Sequence, residues 1–287
     1  MFITRIRNFV SVFLQFTRLS EYYGSIFFIT CLGLFLAEIT DPYKILLVIV
    51  ANTSAVSFSF MFNDVQDADD DRLDPQKASR NVLTSHLLRY DWAYFLCVVT
   101  VAISGGLYYL LGWPTFLFGC LSLVSSFLYS WKPLRIKAMP IVDIIAHSIQ
   151  LGTTQFLAAS SLGSVNCSLV ILISISIFFM SAIADVNNEL RDYDVDRAAN
   201  LTNTASTFNM RSWTGYIQYG WLFPLFVIFV VTLIKLSVTA WIFTFLFFAL
   251  ILLVYFSSSS ETRREYFFYV RSQQIAVVWG CILLFLG

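Results

Sequence analysis

The chain has 287 residues, of which 58% are hydrophobic, 17% aromatic and only 13% charged, with a net charge of zero. Soluble domains carry about 25% charged residues, so this composition excludes a soluble globular protein and fits one that passes repeatedly through a membrane. Zero net charge gives no bulk attraction to nucleic acid, and the five cysteines (31, 97, 120, 167, 281) are scattered without the paired spacing of a disulfide framework or a zinc site.

Residues 1–20 mix Arg5, Arg7 and Arg18 with apolar residues and lack a small-residue cleavage site. They read as an amphipathic segment at the membrane interface, not as a signal peptide. A helix crossing about 30 Å of hydrocarbon needs about 20 residues. Nine stretches qualify: 22–40, 43–62, 92–112, 114–131, 139–162, 167–184, 214–234, 237–257 and 271–287. The expected fold is therefore all-α, a polytopic membrane bundle of nine transmembrane helices in one domain, 1–287. Lys and Arg support the partition. With Arg271, at the start of its stretch, counted in the preceding loop, the odd-numbered segments outside the helices hold 3, 4, 3, 3 and 3 of them, 16 of the 18 in the chain. That alternation places the N-terminus and the odd segments in the cytoplasm.

Two of the cytoplasmic segments repeat one pattern. Asn63-Asp64-Val65-Gln66-Asp67-Ala68-Asp69-Asp70-Asp71-Arg72 and Asn188-Glu189-Leu190-Arg191-Asp192-Tyr193-Asp194-Val195-Asp196-Arg197 both read Asn-acid-x-x-Asp-x-Asp-x-Asp-Arg. The repeat, 63–72 and 188–197, divides the domain into two pseudo-repeated halves. As helices, the first would gather Asn63, Asp64, Asp67 and Asp71 within an arc of about 100°, and the second Asn188, Glu189, Asp192 and Asp196, with Asp185 joining from one turn earlier. Like charges so placed repel. Carboxylates without Cys or His beside them suit a hard divalent cation, Mg²⁺ or Ca²⁺, as the neutralising partner. The plainer alternative is a solvated acidic loop, which would need neither the repeat nor a place at the mouths of two spans.

Bases accompany the acids: Lys77 and Arg80 after the first motif, Lys132, Arg135 and Lys137 in the next cytoplasmic loop, and Arg191, Arg197 and Arg211 around the second motif. Acids, divalent cations and bases together suit a diphosphate bridged through Mg²⁺. The bases of the 132–137 loop would also satisfy topology and lipid headgroups alone. Inside the fifth stretch, Asp143, His147, Gln150 and Thr154 recur at spacings of four, three and four and would line one face of a helix, turned toward a wet cavity because polar groups are costly in lipid. Asn52, Ser59 and Asn63 do the same on the second stretch. A lone intramembrane His such as His147 is more often a packed hydrogen-bonding group than a catalyst.

Asn63-Asp64-x-x-Asp67-x-x-x-Asp71 resembles the NDxxDxxxD motif of the UbiA superfamily of intramembrane prenyltransferases, and Asp192-x-x-x-Asp196 resembles its DxxxD motif. The segment Tyr129-Ser130…Pro133-Leu134-Arg135…Lys137 is also similar, and the likeness spans essentially the whole chain. It implies a central cavity under cytosolic cap loops, and Mg²⁺-assisted loss of diphosphate from a prenyl diphosphate donor with transfer of the polyprenyl group to a lipophilic acceptor. On this likeness Asp64, Asp67 and Asp71 hold one Mg²⁺, and Asp192 and Asp196 a second, aided by Asp185 and Asn188. Lys77, Arg80, Lys132, Arg135 and Lys137 grip the diphosphate beside Tyr129. Asn63, Asp143, His147 and Gln150 are left to face an acceptor. Two departures are visible: many aromatic-acid prenyltransferases have Lys four residues after the loop Tyr, where this chain has Pro133, and many have Arg-Pro after the first motif, where Arg80 is followed by Asn81.

Rival readings are a terpene cyclase of the same superfamily, a superfamily transferase acting on polyprenyl phosphate, and a divalent-cation transporter. A transporter would place its acids mid-membrane along a pore, not at helix mouths beside diphosphate-binding bases. The topology is open to test in a background without native cysteines. D71C should resist an impermeant thiol reagent in intact cells and react only after lysis, whereas N166C should react at once; labelling of D71C before lysis would overturn the orientation.

Overall fold

A chain this apolar must satisfy its backbone polar groups within helices, because lipid offers them no partner. The computed structural model describes residues 2–198, 202–220, 222–257 and 272–287; within these, the side chains of 2–8, 195–198, 215, 218, 247, 248 and 250–257 lie outside the description. The described residues form helices and loops, with no strand among them. In chain order the helices are α1 (Phe2–Thr17), α2 (Leu19–Leu36), α3 (Pro42–Asp71), α4 (Pro75–Arg80), α5 (Tyr90–Leu111), α6 (Trp113–Ser130), α7 (Val142–Ser148), α8 (Thr154–Ser160), α9 (Cys167–Ala198), α10 (Thr204–Thr207), α11 (Thr214–Gly220), α12 (Leu222–Lys235), α13 (Val238–Ser257) and α14 (Ser272–Leu286). Five of them, α2, α3, α5, α6 and α9, are long and apolar enough to cross a membrane among the described residues.

Local chemistry sets the boundaries. Asp41 caps α3 by accepting from the Tyr43 amide at 2.9 Å, with Pro42 in the first turn. Asp74 and Pro75 start α4 in the same way. Gly112, at φ 110°, turns the chain between α5 and α6. Both acidic motifs are the last turns of long helices: α3 continues to Asp71 and α9 to Ala198. The apolar interior divides into two main clusters, one around Phe16, Phe58, Met61, Val65 and Tyr108, the other around Leu32, Phe156, Ile177, Ile228 and Trp279.

The fifth predicted stretch is not one helix. α7 ends at Ser148, a wide turn follows, and α8 begins at Thr154. Leu151 (φ −117°, ψ 86°) and Gly152 (φ 123°, ψ −62°) leave helical geometry. The conformation of Gly152 is one that a Cβ resists, and a Cβ there would also meet the Ile177 side chain at 3.0 Å. Side chains take over the freed backbone bonds. Gln155 accepts from the Gly152 amide at 2.6 Å and donates to the Gln150 carbonyl at 2.8 Å, while the Thr154 hydroxyl donates to the Ile149 carbonyl at 2.8 Å. The stripe expected from Asp143 through Thr154 is therefore interrupted: Asp143 and His147 belong to α7, and Gln150 and Thr154 to the turn and α8.

Asn52 pins four helices at the centre. Its side-chain amide donates to Thr30 Oγ1 at 2.8 Å and to the Gln155 carbonyl at 3.0 Å, and its carbonyl accepts from the Tyr108 hydroxyl at 2.7 Å. Asn52 and Tyr108 are completely buried. Asn52→Leu would take from the buried Tyr108 hydroxyl its acceptor, at about 1–3 kcal/mol for an unsatisfied group. Thermal unfolding of the detergent-solubilised chain should show a clearly lowered midpoint; an unchanged midpoint would remove Asn52 from this role.

Candidate active site

The end of α3 is an acidic face seized by bases from two directions. Asp64 is fully buried and forms an ion pair with Arg18, at the joint of α1 and α2. Asp67 is paired with Lys137, and Arg135 Nη2 lies 3.6 Å from its other oxygen. Arg135 also reaches Asp70 at 2.6 Å, and Lys132 reaches Asp69 at 3.3 Å. Neutral contacts fasten the same loop: Lys137 Nζ and Ser130 Oγ donate to Asn63 Oδ1 at 2.9 and 3.0 Å, and the Lys132 amide donates to Gln66 Oε1 at 3.1 Å. Asp71 is held by Asn81, whose side-chain amide donates to the Asp71 carboxylate at 2.9 Å and to the Asp64 carbonyl at 2.8 Å. Opposite charges at these separations offset the repulsion that the sequence imposes on the helix face.

The second motif is reached from the helix that follows the first: Lys77 of α4 has its ammonium 3.1 Å from Asp192 Oδ2. Arg191 is 3.7 Å from the other Asp192 oxygen. Asp194 points away toward Arg211 at 2.7 Å, and Tyr193 lies beneath that guanidinium, 5.8 Å from its ring centroid. Asn188 is exposed, whereas Asp185 and Glu189 are buried. The side chain of Asp196 lies outside the described residues.

Asp143 is occupied by its own loop. Its carboxylate accepts the Thr204 amide at 2.8 Å and the Thr204 hydroxyl at 2.5 Å, while Glu189 accepts the Ala205 amide at 2.7 Å. Two buried carboxylates thus fasten the 202–207 segment across α7 and α9. His147 stands deeper, with Nε2 3.6 Å from Asp185 Oδ1 and Nδ1 3.2 Å from Ser181 Oγ. The ring of half-buried Tyr129 lies 6.1 Å from the His147 ring, centroid to centroid. Gln150 is buried, and its side-chain carbonyl accepts no hydrogen bond. Arg80 is exposed at the end of α4, and its carbonyl accepts Gln15 Nε2 at 3.0 Å.

The structure therefore gathers Asn63, Asp64, Asp67, Asp71, Lys132, Arg135 and Lys137 at the end of α3, and it sets Lys77, on the helix that follows, against Asp192. Two residues that shape the site escaped the sequence reading. Arg18 sits inside the bundle and not at the interface; its one signal is a lone cation at the start of an apolar run. Asn81, visible in sequence only as a departure, proves to be the clip between Asp64 and Asp71. Three buried carboxylate oxygens, Asp64 Oδ2, Asp67 Oδ1 and Asp185 Oδ2, accept no hydrogen bond. Unbonded carboxylate oxygens of this kind, Asp67 Oδ1 above all, are electron-pair donors that suit a hard cation such as Mg²⁺. Among the described residues, no three acid, His or Cys side chains converge as a ready-made cage.

The fold has solved counterparts. A UbiA homolog from Archaeoglobus fulgidus bound to GPP and Mg²⁺ superposes with a TM-score of 0.68 at 20% identity, covering 95% of this chain and 99% of that one. The apo UbiA homolog from Aeropyrum pernix K1 gives 0.67 at 18% identity, covering 92% and 95%. A digeranylgeranylglyceryl phosphate synthase gives 0.58 at 14% identity, covering 96% and 98%. No curated protein matches the chain in sequence. The model of the UbiA prenyltransferase family matches residues 26–272, and the chain belongs to that family.

Proposed function

We propose that the chain is a Mg²⁺-dependent intramembrane prenyltransferase that moves a polyprenyl group from a prenyl diphosphate to a lipophilic acceptor. The observation that carries this reading is that Lys77, on the helix directly after the first acidic motif, lies 3.1 Å from Asp192 of the second, with the 132–137 loop seated on the first. The Archaeoglobus fulgidus homolog, with its prenyl diphosphate and Mg²⁺, supports the donor and the metal. Asp67 and Asp71 on α3, and Asp192 and Asp196 on α9, would hold Mg²⁺, with Asp185 behind them. Bound Mg²⁺ would supply Lewis acidity to the departing diphosphate.

The chain's own groups do the rest. Lys77, Arg135 and Lys137, which rest on carboxylates, are the cations that meet the diphosphate oxygens when the donor enters. The bond between the donor's allylic carbon and oxygen breaks, its electron pair leaves with the diphosphate, and an electron pair of the acceptor closes on the carbon with loss of a proton. The apolar surroundings keep water from capturing the cation. In the membrane we place nine spans, with the N-terminus and both motifs cytoplasmic, on the Lys and Arg alternation.

For the acceptor, the 132–137 loop is informative. Pro133 stands where the aromatic-acid pattern has Lys, and the remaining cations, Lys132, Arg135 and Lys137, are all engaged by Asp69, Asp70 and Asn63. Asp143 is committed to Thr204. Gln150, whose side-chain carbonyl accepts no hydrogen bond, and His147, set between Asp185 and Ser181, are the groups we assign to an acceptor, and they recognise hydroxyls better than carboxylates. We therefore assign an acceptor without an essential carboxylate.

Two measurements test these assignments. Asp67→Asn and Asp192→Asn should each lower turnover about 100-fold, the loss expected of one electrostatic contact to the transition state, while the chain still folds; near-normal turnover in either would overturn the reading. In a competition for labelled geranyl diphosphate with Mg²⁺, neutral phenols or quinols should outrun 4-hydroxybenzoate, and mass spectrometry should show a joined product. Efficient prenylation of 4-hydroxybenzoate would overturn the acceptor assignment, and a cyclised hydrocarbon alone would replace transfer by cyclisation.

A further inference from the structure

Arg18 joins α1 to α2 in the left-handed conformation, φ 49° and ψ 31°. Its guanidinium is turned into the bundle, 9% exposed, in an ion pair with Oδ1 of Asp64, which is 0% exposed. Phe60, one turn before Asp64 on α3, presents its ring 5.9 Å from the guanidinium carbon. The joint is fastened on both sides: Phe16 is fully buried in the cluster that contains Phe58, Val65 and Ala68 of α3, and Gln15 donates to the carbonyl of Arg80 at 3.0 Å. The remaining acid–base pairs of the first motif are more open. Lys137 and Asp67 are 17% and 14% exposed, and Arg135 and Asp70 are 24% and 40%.

We propose that Arg18 is a resident cation that withdraws Asp64 from the metal-binding acids, leaving Asp67 and Asp71 as the share of the first motif. This rests on the prenyltransferase reading and decides which of its carboxylates meet the metal. A carboxylate enclosed by protein needs an opposite charge, and losing that partner leaves a buried charge at high cost. Asp64 has its partner within the fold, on a helix joint pinned by Phe16 and Gln15, so handing it to an incoming metal would strand the guanidinium instead. Lys137 and Arg135, on an open loop, can exchange carboxylate for phosphate without that penalty. Arg18 thus fixes the charge that the first motif shows a metal: three acids on one face act with the charge of two. Asp64 Oδ2, which has no hydrogen-bond partner, is the one atom through which Asp64 could still ligate, and the test is aimed at it.

The experiment is Mn²⁺ binding to the full-length, detergent-solubilised chain, followed by electron paramagnetic resonance without donor, with thermal melts alongside. R18Q should raise Mn²⁺ affinity about tenfold, the effect of one uncompensated carboxylate nearby, and R18K should keep the affinity of the natural chain. The double variant R18Q/D64N removes both charges, so it avoids the lone buried carboxylate that could stop R18Q from folding. It should bind Mn²⁺ within about threefold of the natural chain, while D67N should lose about tenfold or more. A tenfold loss in R18Q/D64N would make Asp64 a ligand and overturn the proposal, as would a folded R18Q whose affinity is unchanged. A natural chain that binds no Mn²⁺, with or without pyrophosphate, would overturn the prenyltransferase reading as well. Binding by the natural chain with loss in the double variant would overturn only the role given to Arg18 and Asp64.

Discussion

Carboxylates stacked on one helix face repel, and at a membrane mouth little water is available to screen them. The arrangement around α3 answers that one constraint. Arg18 arrives from the α1–α2 joint, and Lys132, Arg135 and Lys137 from the loop after α6. Asn81 returns from beyond α4 to hold Asp71. Each of these segments carries a bond to an acid beside its packing and neutral hydrogen bonds, so the acidic face is the common point to which the loops return.

The interior follows a related rule for neutral groups. The bundle leaves helical geometry at Leu151 and Gly152, and there Gln155 and Thr154 replace the missing backbone partners. Asn52 serves α2, α3, α5 and α8 at once. Irregular backbone survives inside a membrane protein only where side chains repair it. The break between α7 and α8 separates His147 from Gln150, and it lets the short α7 carry Asp143 to Thr204 and His147 to Asp185.

The long helices α2, α3, α5, α6 and α9 were legible because a span imposes length and apolarity on consecutive residues, and the acidic motifs because they repeat. That Lys77, just past the first motif, pairs with Asp192 of the second needed the fold. The break at Gly152 was hidden, since one glycine in an apolar stretch looks the same whether the helix continues or opens. Arg18 was hidden for a different reason. A lone Arg before an apolar run satisfies the interface as well as it satisfies a buried acid 46 residues away, and nothing local separates the two. Asn81 was visible as a departure from a pattern, but its work depends on α4 folding back onto the end of α3.

Charge balance gives these contacts a common logic. The five acids Asp64, Asp67, Asp69, Asp70 and Asp71 are set among five cations: Arg18 is paired with Asp64, Lys137 with Asp67, Arg72 and Lys132 with Asp69, and Arg135 with Asp70, while Asp71 is held by the neutral Asn81 amide. A divalent cation alone would add positive charge to a mouth already neutral and would have to displace a base. A diphosphate alone would add negative charge beside five carboxylates. Arriving together they nearly cancel, and the bases released from carboxylates find phosphate oxygens in reach. A neutral mouth therefore favours the metal–diphosphate unit over either part, and its selectivity comes from the bases that the sequence interleaves with its acids.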